Sequence, residues 1–286
     1  MDAIAKNVYI EDRFLGVTLG VIIEPRGLIQ IDAPPAPEDG RSWRASMMGM
    51  GGGHERVLIN LDSHPDRTLG VRSMDCTVIA HERTAQAFHL RPNTFKAQGD
   101  ETGANWEAIP GLGSVRWAPP EISFGQKLTL HWGESPVILE SHSGPTSGAI
   151  WVILPDEKIV FVGDAVMKGQ PPFLAHANLN TWLGALELLM SPDYKGFTVV
   201  SGRGGVVTPQ AVRSQYEALK RVHDKVEALG KKRSSVTATE KLAENLLKDF
   251  KAPAAKHKQY ARRLSYGLQH YYTRHYLSSP RNLVEE

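Results

Sequence analysis

The chain has 286 residues, of which 41% are hydrophobic and 22% are charged. This composition is typical of a folded protein and excludes a disordered, collagen-like or disulfide-stabilised chain. The sequence shows neither an apolar run long enough for a membrane span nor a signal-peptide pattern, so we expect a cytoplasmic protein with no membrane partner. Because Cys76 is the single cysteine, a bound metal ion would need histidine and carboxylate ligands.

The charge is unevenly distributed along the chain. The net charge is +2, yet residues 210–286 carry 16 Lys+Arg against 8 Asp+Glu. A basic helical tail is one feature of nucleic-acid-binding proteins. Here acidic residues are interleaved with the basic ones and no nucleic-acid-binding motif accompanies them. We therefore expect no nucleic-acid partner and interpret the tail as a solvated helix surface.

The first half of the chain predicts strands separated by glycine and proline turns. Residues 8–32 predict two or three strands, and residues 42–50 predict a short helix. VLIN (57–60) and VIA (78–80) predict strands that are buried on both faces. This spacing places loop 61–70 at the carboxyl end of a strand, where open α/β sheets bind their ligands.

The second half predicts another group of strands and then helices. Short strands alternate with turns after residue 121, and residues 179–190 predict an amphipathic helix. Two strand-rich halves with flanking helices predict an α/β protein, an αβ/βα four-layer sandwich, over residues 1–209.

Residues 210–286 predict a C-terminal helical extension. Thr208 and Pro209 are typical of a helix start, and Gly230 of a helix end. A third helix carries an apolar stripe that includes Tyr260 and Leu264. We interpret this stripe as core packing, with an interface in a homodimer as the alternative.

Polar side chains follow several predicted strands. The segment NLDSHPDRTLG (60–70) places Asp62 and His64 after the strand 57–60, and alternate residues leaving a strand can converge on one ion. Later strands are followed by His142, by Asp164 and by Arg203. Four strand ends therefore offer polar groups to one site. We do not expect Ser63 to be a nucleophile, because the sequence places no His-Asp pair beside it. His81 is interpreted as a surface or turn residue.

The order and spacing of these motifs resemble the metallo-β-lactamase-fold hydrolase superfamily over about residues 8–210. That superfamily has H-x-H-x-D-H after a strand, a histidine in a Gly/Ser loop, Gly-Asp at a strand end and a final G-H-G. The opening VTLGVIIEPRGLIQIDAP is similar to its first hairpin, which ends in an aspartate. The motif here is degenerate, because residues 62–67 read D-x-H-x-D-R and Arg203 replaces the last histidine.

The resemblance implies one metal site that keeps its ligands and one that has lost them. The first site would consist of Asp62, His64, His142 and Asp164, which suit one divalent ion of zinc, iron or manganese. The second site would include Asp66 together with Arg67 and Arg203. A guanidinium has no lone pair to give a metal, so the second site is expected to be empty. A redox di-iron enzyme of this superfamily would need both sites and is disfavoured.

Two functions follow as hypotheses. The first is a metal-dependent hydrolase with a single ion that acts on an ester, lactone, thioester or related small anionic substrate. Asp66 would orient the attacking water, while Arg67 and Arg203 would stabilise an oxyanion or bind the substrate. His176 lies in the segment where the substrate loop of this superfamily usually runs and is a further candidate for substrate binding.

The alternative is a non-catalytic protein of the same fold that has lost its metal site and serves a binding or assembly role. In that case Arg67 and Arg203 would form ion pairs with Asp66 as a structural substitute for the metal. His64 and His142 would then be hydrogen-bonded structural residues.

Overall fold

A computed structural model describes residues 1–96, 102–250 and 252–277, in which thirteen strands form two sheets. The strands of the first sheet are β1 (Asp2–Ala5), β2 (Val8–Glu11), β3 (Leu19–Glu24), β4 (Gly27–Ile31), β5 (Glu55–Ile59), β6 (Thr77–His81) and β7 (Ile122–Phe124). Those of the second are β8 (Lys127–Leu130), β9 (Val137–Ser141), β10 (Ile150–Leu154), β11 (Ile159–Phe161), β12 (Thr198–Val200) and β13 (Val206–Val207). The α-helices are α1 (Pro37–Ser46), α2 (Pro65–Thr68), α3 (Glu82–Leu90), α4 (Leu179–Leu189), α5 (Pro209–Lys231), α6 (Ala238–Leu247) and α7 (His257–Tyr272).

Both sheets bring the carboxyl ends of several strands to one edge. The first sheet follows chain order from β1 to β7, with antiparallel neighbours up to β4 and parallel neighbours from β4 onward. The second has the order β13-β12-β11-β10-β9-β8, in which β11 and β12 are parallel and β9 runs in their direction. The loops that follow these strands carry the polar residues singled out in the sequence.

Alternating side chains on the strands build the layers. On β10, Ile150 and Val152 face the first sheet, whereas Trp151 and Ile153 face the helices on the outer side. Helix α1 covers the other face of the first sheet through the buried Trp43. Successive residues of a strand thus pack on opposite faces of its sheet, so each sheet is covered on both faces. The layers follow one another as helix, sheet, sheet and helix. The predicted four-layer sandwich with C-terminal helices is confirmed.

The C-terminal helices share a core with the second sheet. Their apolar stripes pack with those of α4 and β10 in one cluster, which includes Leu219, Leu246 and Leu264. The stripes are therefore buried within one chain. The predicted division at residue 209 falls at the start of α5 and stays a prediction, and residues 278–286 of the predicted extension lie outside the described residues. Within the described part of the chain, no helix is both long and apolar enough to span a membrane.

We predict that Leu264→Ala lowers the free energy of unfolding by about 2–5 kcal/mol. Leu264 is fully buried between α7 and the other helices, so the substitution leaves a cavity that its neighbours fill only in part. Urea unfolding measures the change. The matched control is Leu90→Ala, which removes the same atoms from a side chain that is 72% exposed. Equal effects of the two substitutions would mean that the extension does not stabilise the sandwich.

Candidate functional site

Strand ends from both sheets meet at the site. Asp32 follows β4, Asp62 lies in the loop after β5, and Asp164 lies in a short turn after β11. Arg203 follows β12. The short helix α2 adds its own residues, because His64 is its N-cap and accepts a hydrogen bond at Nδ1 from the Asp66 amide at 3.2 Å, with Pro65 at the first helical position.

Arg67, on α2, is buried among three carboxylates. Its Nη1 donates to Asp32 Oδ2 at 2.7 Å, and its Nε lies 2.9 Å from Asp62 Oδ1. Its Nη2 donates to Asp164 Oδ1 in a short hydrogen bond. The side chain has 0% exposure, so these contacts are made away from water.

Arg203 connects the remaining acidic groups. Its Nε and Nη2 donate to the two oxygens of Asp164, each at 3.0 Å, in a bidentate pair. Its Nη1 donates to Asp66 Oδ2 at 2.5 Å, and its Nη2 lies 3.2 Å from Nδ1 of His64. We call the six charged residues the ion-pair cluster: Asp32, Asp62, Asp66, Arg67, Asp164 and Arg203.

The cluster contains four carboxylates but only two guanidiniums. The pKa of each carboxyl group depends on the balance between burial and the charge of the nearby guanidinium. Burial raises the pKa of Asp32 to about 6, against the attraction of Arg67, and burial likewise raises the pKa of Asp62. For Asp66 and Asp164 burial works in the same direction, but the charge of Arg203 outweighs it and holds both pKa values below their usual range. The Asp32 and Asp62 side of the cluster therefore takes up a proton more readily than the Asp66 and Asp164 side.

His64 is a neutral imidazole in this environment. Burial first, and then the charge of Arg203, lower the pKa of His64 to about 3. Since its Nδ1 accepts hydrogen bonds from Asp66 and Arg203, the ring proton is on Nε2. Its ring packs against Phe173 at a centroid distance of 4.4 Å.

His142 does not join the cluster. Its ring stacks on Trp151 at 3.8 Å, its Nε2 lies 3.5 Å from Glu140, and burial lowers its pKa. The described residues include no group of three or more His, Cys, Asp or Glu side chains arranged to hold a metal ion.

The structure does not bring the side chains of Asp62, His64, His142 and Asp164 together as the expected metal site. The guanidinium of Arg67 bridges Asp62 and Asp164, His64 uses its Nδ1 as an acceptor for protein donors, and His142 turns toward Trp151. A divalent ion placed there would meet a buried positive charge and oxygens already engaged with nitrogen donors. The residues present do not fit a metal ion.

A cleft of about 510 Å³ lies beside the cluster, between α3, the loops at the strand ends and α7. Of the site residues predicted from the sequence, His64 and His176 line it. Arg67 and Arg203 do not, because both are buried in ion pairs with 0% and 2% exposure. Neither guanidinium faces the cleft, so their predicted contacts with substrate gain no support from this structure and stay predictions.

The catalytic role predicted for Asp66 is also not supported. Its carboxylate is fully buried and accepts hydrogen bonds from the Trp106 amide at 2.6 Å, the Asn105 amide at 3.2 Å and Arg203. With its oxygens engaged and its pKa below the usual range, it is neither placed nor tuned to take a proton from water.

Several residues of the site were not found from the sequence. Asp32 was noted only as the end of the first hairpin, while Arg91 and Arg263, which line the cleft, carry no motif. Ser63 also lines the cleft. His81 is not the surface residue that was expected: it is buried and caps α3 by accepting from the Arg83 amide at 3.0 Å.

Comparisons with known proteins place the fold. Residues 63–197 match the family model of the metallo-β-lactamase superfamily. The metallo-β-lactamase from Pontibacter korlensis superposes with a TM-score of 0.60 at 18% identity, over 77% of this chain and 97% of that one. The sec-alkylsulfatase Pisa1 from Pseudomonas sp. superposes with a TM-score of 0.69 at 12% identity, over 98% of this chain and 51% of that one. A comparison with curated proteins found no match.

The chain therefore has the metallo-β-lactamase fold, and the resemblance to that superfamily is confirmed. The structural similarity to the alkylsulfatase extends over nearly the whole chain, whereas this chain spans about half of that enzyme. At these identities the superpositions describe the fold alone.

We predict that Arg67→Met lowers the free energy of unfolding by about 3–5 kcal/mol, because it leaves three buried carboxylates without their shared cation. The matched control is Arg44→Met. Arg44 pairs with Asp75 at 3.2 Å, but the side chains are 46% and 85% exposed, so its loss should cost under about 1 kcal/mol. Chemical unfolding compares the two. Similar effects would show that the cluster does not stabilise the fold.

The raised pKa of Asp32 leads to a prediction of how the free energy of unfolding varies with pH. Its pKa of about 6 in the folded protein exceeds its ordinary value of 3.8, so the folded state binds this proton more tightly than the unfolded state. The proton on Asp32 therefore stabilises the folded state fully below about pH 4. This stabilisation, up to about 3 kcal/mol in the free energy of unfolding, is lost as the pH rises through 6. Asp66 and Asp164 act oppositely, since their lowered pKa values remove stability as the pH falls below their ordinary range.

The measurement is the free energy of unfolding between about pH 4 and pH 7 for the native sequence and for Asp32→Asn. The variant cannot release this proton, so the decline over this range should flatten even though its stability at any one pH is lower. An unchanged slope in Asp32→Asn would assign the titration to another group.

Proposed function

We propose that this chain is a metal-independent protein of the metallo-β-lactamase fold, and that it acts by binding a small molecule in the cleft. The observation that carries the proposal is the position of Arg67 and Arg203, whose guanidiniums pair with every carboxylate of the former metal centre. This is the alternative considered for the sequence, and the geometry favours it over the single-metal hydrolase.

Electrostatics support the loss of the metal. Asp164 accepts hydrogen bonds from guanidiniums on both of its oxygens, and Asp66 accepts from Arg203 and two amides. A divalent cation about 4 Å from one guanidinium would be repelled by about 8 kcal/mol at an effective dielectric constant near 20, twice the value for two unit charges. Arg67 and Arg203 both surround this position, so a metal would have to displace them from their ion pairs.

The cleft itself is better suited to binding than to hydrolysis. Members of this superfamily are mostly hydrolases. No Asp or Glu lines the cleft in the part of the chain that the structure describes. His64, which does line it, has a pKa of about 3 and is a weak base at neutral pH. His64 is therefore not a base with the pKa needed to activate Ser63.

Size and lining support a small-molecule ligand. A volume of about 510 Å³ lies within the range of ligand-binding clefts. Trp106, Phe173 and Tyr266 give it apolar and aromatic walls among polar groups. The predicted homodimer remains a prediction, since the apolar stripes of the C-terminal helices are buried within the chain and need no second subunit for burial.

The test is the metal content of protein purified without chelators. We expect zinc, iron and manganese together to stay below about 0.2 equivalents per chain, and the same for His64→Ala, because no ligand set binds an ion. Equilibrium dialysis against zinc or manganese should add no stoichiometric site. About one equivalent in the native protein that is lost in His64→Ala would overturn the proposal and restore the single-metal hydrolase.

A further inference from the structure

Positively charged side chains line the cleft. Its lining includes four arginines, Arg83, Arg91, Arg263 and Arg274, and no acidic side chain among the described residues. The acidic groups nearby belong to the ion-pair cluster, where they are already paired with Arg67 and Arg203.

Arg263, on α7, is the most deeply buried of these arginines, with 1% exposure. Its Nε donates to the Gly103 carbonyl at 3.0 Å, and its Nη1 donates to Gln170 Oε1 at 2.8 Å and to the Pro171 carbonyl at 3.2 Å. Its Nη2 is buried without a hydrogen-bond partner, and no described carboxylate lies within ion-pair distance. Its pKa, lowered to about 10 by burial and by Arg203, still leaves it charged at neutral pH.

Arg91, at the end of α3, is a second arginine of the cleft with a buried guanidinium nitrogen that has no hydrogen-bond partner. Its Nη2 donates to the Ser63 carbonyl at 2.8 Å, while its Nη1 is buried and has no hydrogen-bond partner. Its guanidinium carbon lies 4.6 Å from the centre of the Trp117 ring. No described carboxylate pairs with it. Burial lowers its pKa to about 10, so it also remains a cation.

A buried cation without a counter-ion is costly, because it loses hydration and gains no ion pair in return. Neutral carbonyls compensate for part of that loss at Arg91 and Arg263. A bound anion would supply the rest through charge-assisted hydrogen bonds. Both residues line one cleft, so a single ligand can serve as the counter-ion for both.

We propose that the ligand of the cleft is a small molecule with an oxyanion group, such as a carboxylate, a sulfate or a phosphate, held between Arg263 and Arg91. This inference rests on the proposed binding function and names its ligand class. Phe173, which lies 4.0 Å from the guanidinium of Arg263, and the neighbouring Trp106 and Tyr266 provide a surface for an apolar or aromatic body. His64, neutral with its proton on Nε2, adds an uncharged donor to the wall.

The test is calorimetric titration with four probes that share one aromatic body: 2-naphthoate, naphthalene-2-sulfonate, 2-naphthyl phosphate and the neutral 2-naphthamide. We expect at least one of the anions to bind ten-fold or more tightly than the amide. Ranking the three anions then identifies the preferred oxyanion. No anion binding, or equal binding of the amide, overturns the proposal.

Variants assign the binding to the arginines. Arg263→Gln and Arg91→Gln should each weaken the anion ten- to a hundred-fold and leave the amide unchanged, in line with the loss of one charged hydrogen-bond donor. Arg213→Gln is the control, since it removes the same charge from an exposed position on α5 that does not line the cleft. If Arg263→Gln does not fold, as judged by circular dichroism, Arg91→Gln decides. Unchanged anion affinity in the folded variants overturns the assignment.

A titration in the presence of EDTA separates this inference from the proposed function. Binding that persists with EDTA depends on the protein's own cations. Binding that EDTA abolishes would place the anion on a metal and would overturn both proposals. A metal-free protein that binds none of the anions would overturn the ligand class alone.

Discussion

The structure depends on the convergence of four buried carboxylates at the carboxyl ends of its strands. Asp32, Asp62, Asp66 and Asp164 would repel one another and resist burial without positive charge between them. Arg67 and Arg203 supply two positive charges, the same formal charge as one divalent ion. Their guanidiniums therefore hold the acidic strand ends of this fold together.

The two guanidiniums determine what the site can do. A metal ion keeps open positions for water or substrate, whereas a guanidinium offers only donors, and here those donors are used by carboxylates. Phe173 lies over Arg203 at 4.6 Å and packs against His64, and Arg203 does not line the cleft. The cluster thus acts as a structural core beneath the cleft, and any ligand chemistry shifts to the residues of the cleft wall.

The sequence predicted the layers well and the contacts of the site less well. Strands such as β10 alternate between two cores, so their hydrophobic pattern alone indicates a sheet buried on both faces. The pairing of Arg203 with Asp66 was one of the alternatives, because both lie at motif positions. The position of His142 could not be predicted, since its stacking on Trp151 depends on how a Gly/Ser loop folds back over β10.

The sequence could not predict that Arg91 and Arg263 line the cleft, for a further reason. Arg263 reaches its partner Gly103 across 160 positions of sequence, and neither residue belongs to a motif. The backbone at Gly103 has a φ of +71°, and a Cβ there would lie 2.6 Å from the Arg263 amide, so glycine permits α7 to approach this loop. Such a contact exists only once the extension has docked on the sandwich.

The two charged sites are linked through this same loop. Gln259 and Arg263 on α7 donate to the backbone of residues 103–104, and the next two amides, those of Asn105 and Trp106, donate to Asp66 in the cluster. Asp66 and Asp164 also act electrostatically on Arg263, raising its pKa against the effects of burial and of Arg203. The excess negative charge of the cluster therefore helps to keep Arg263 ionised where it lines the cleft. In this protein the ion-pair cluster holds the buried strand ends together and also favours the positive charge of Arg263 in the wall of the neighbouring cleft.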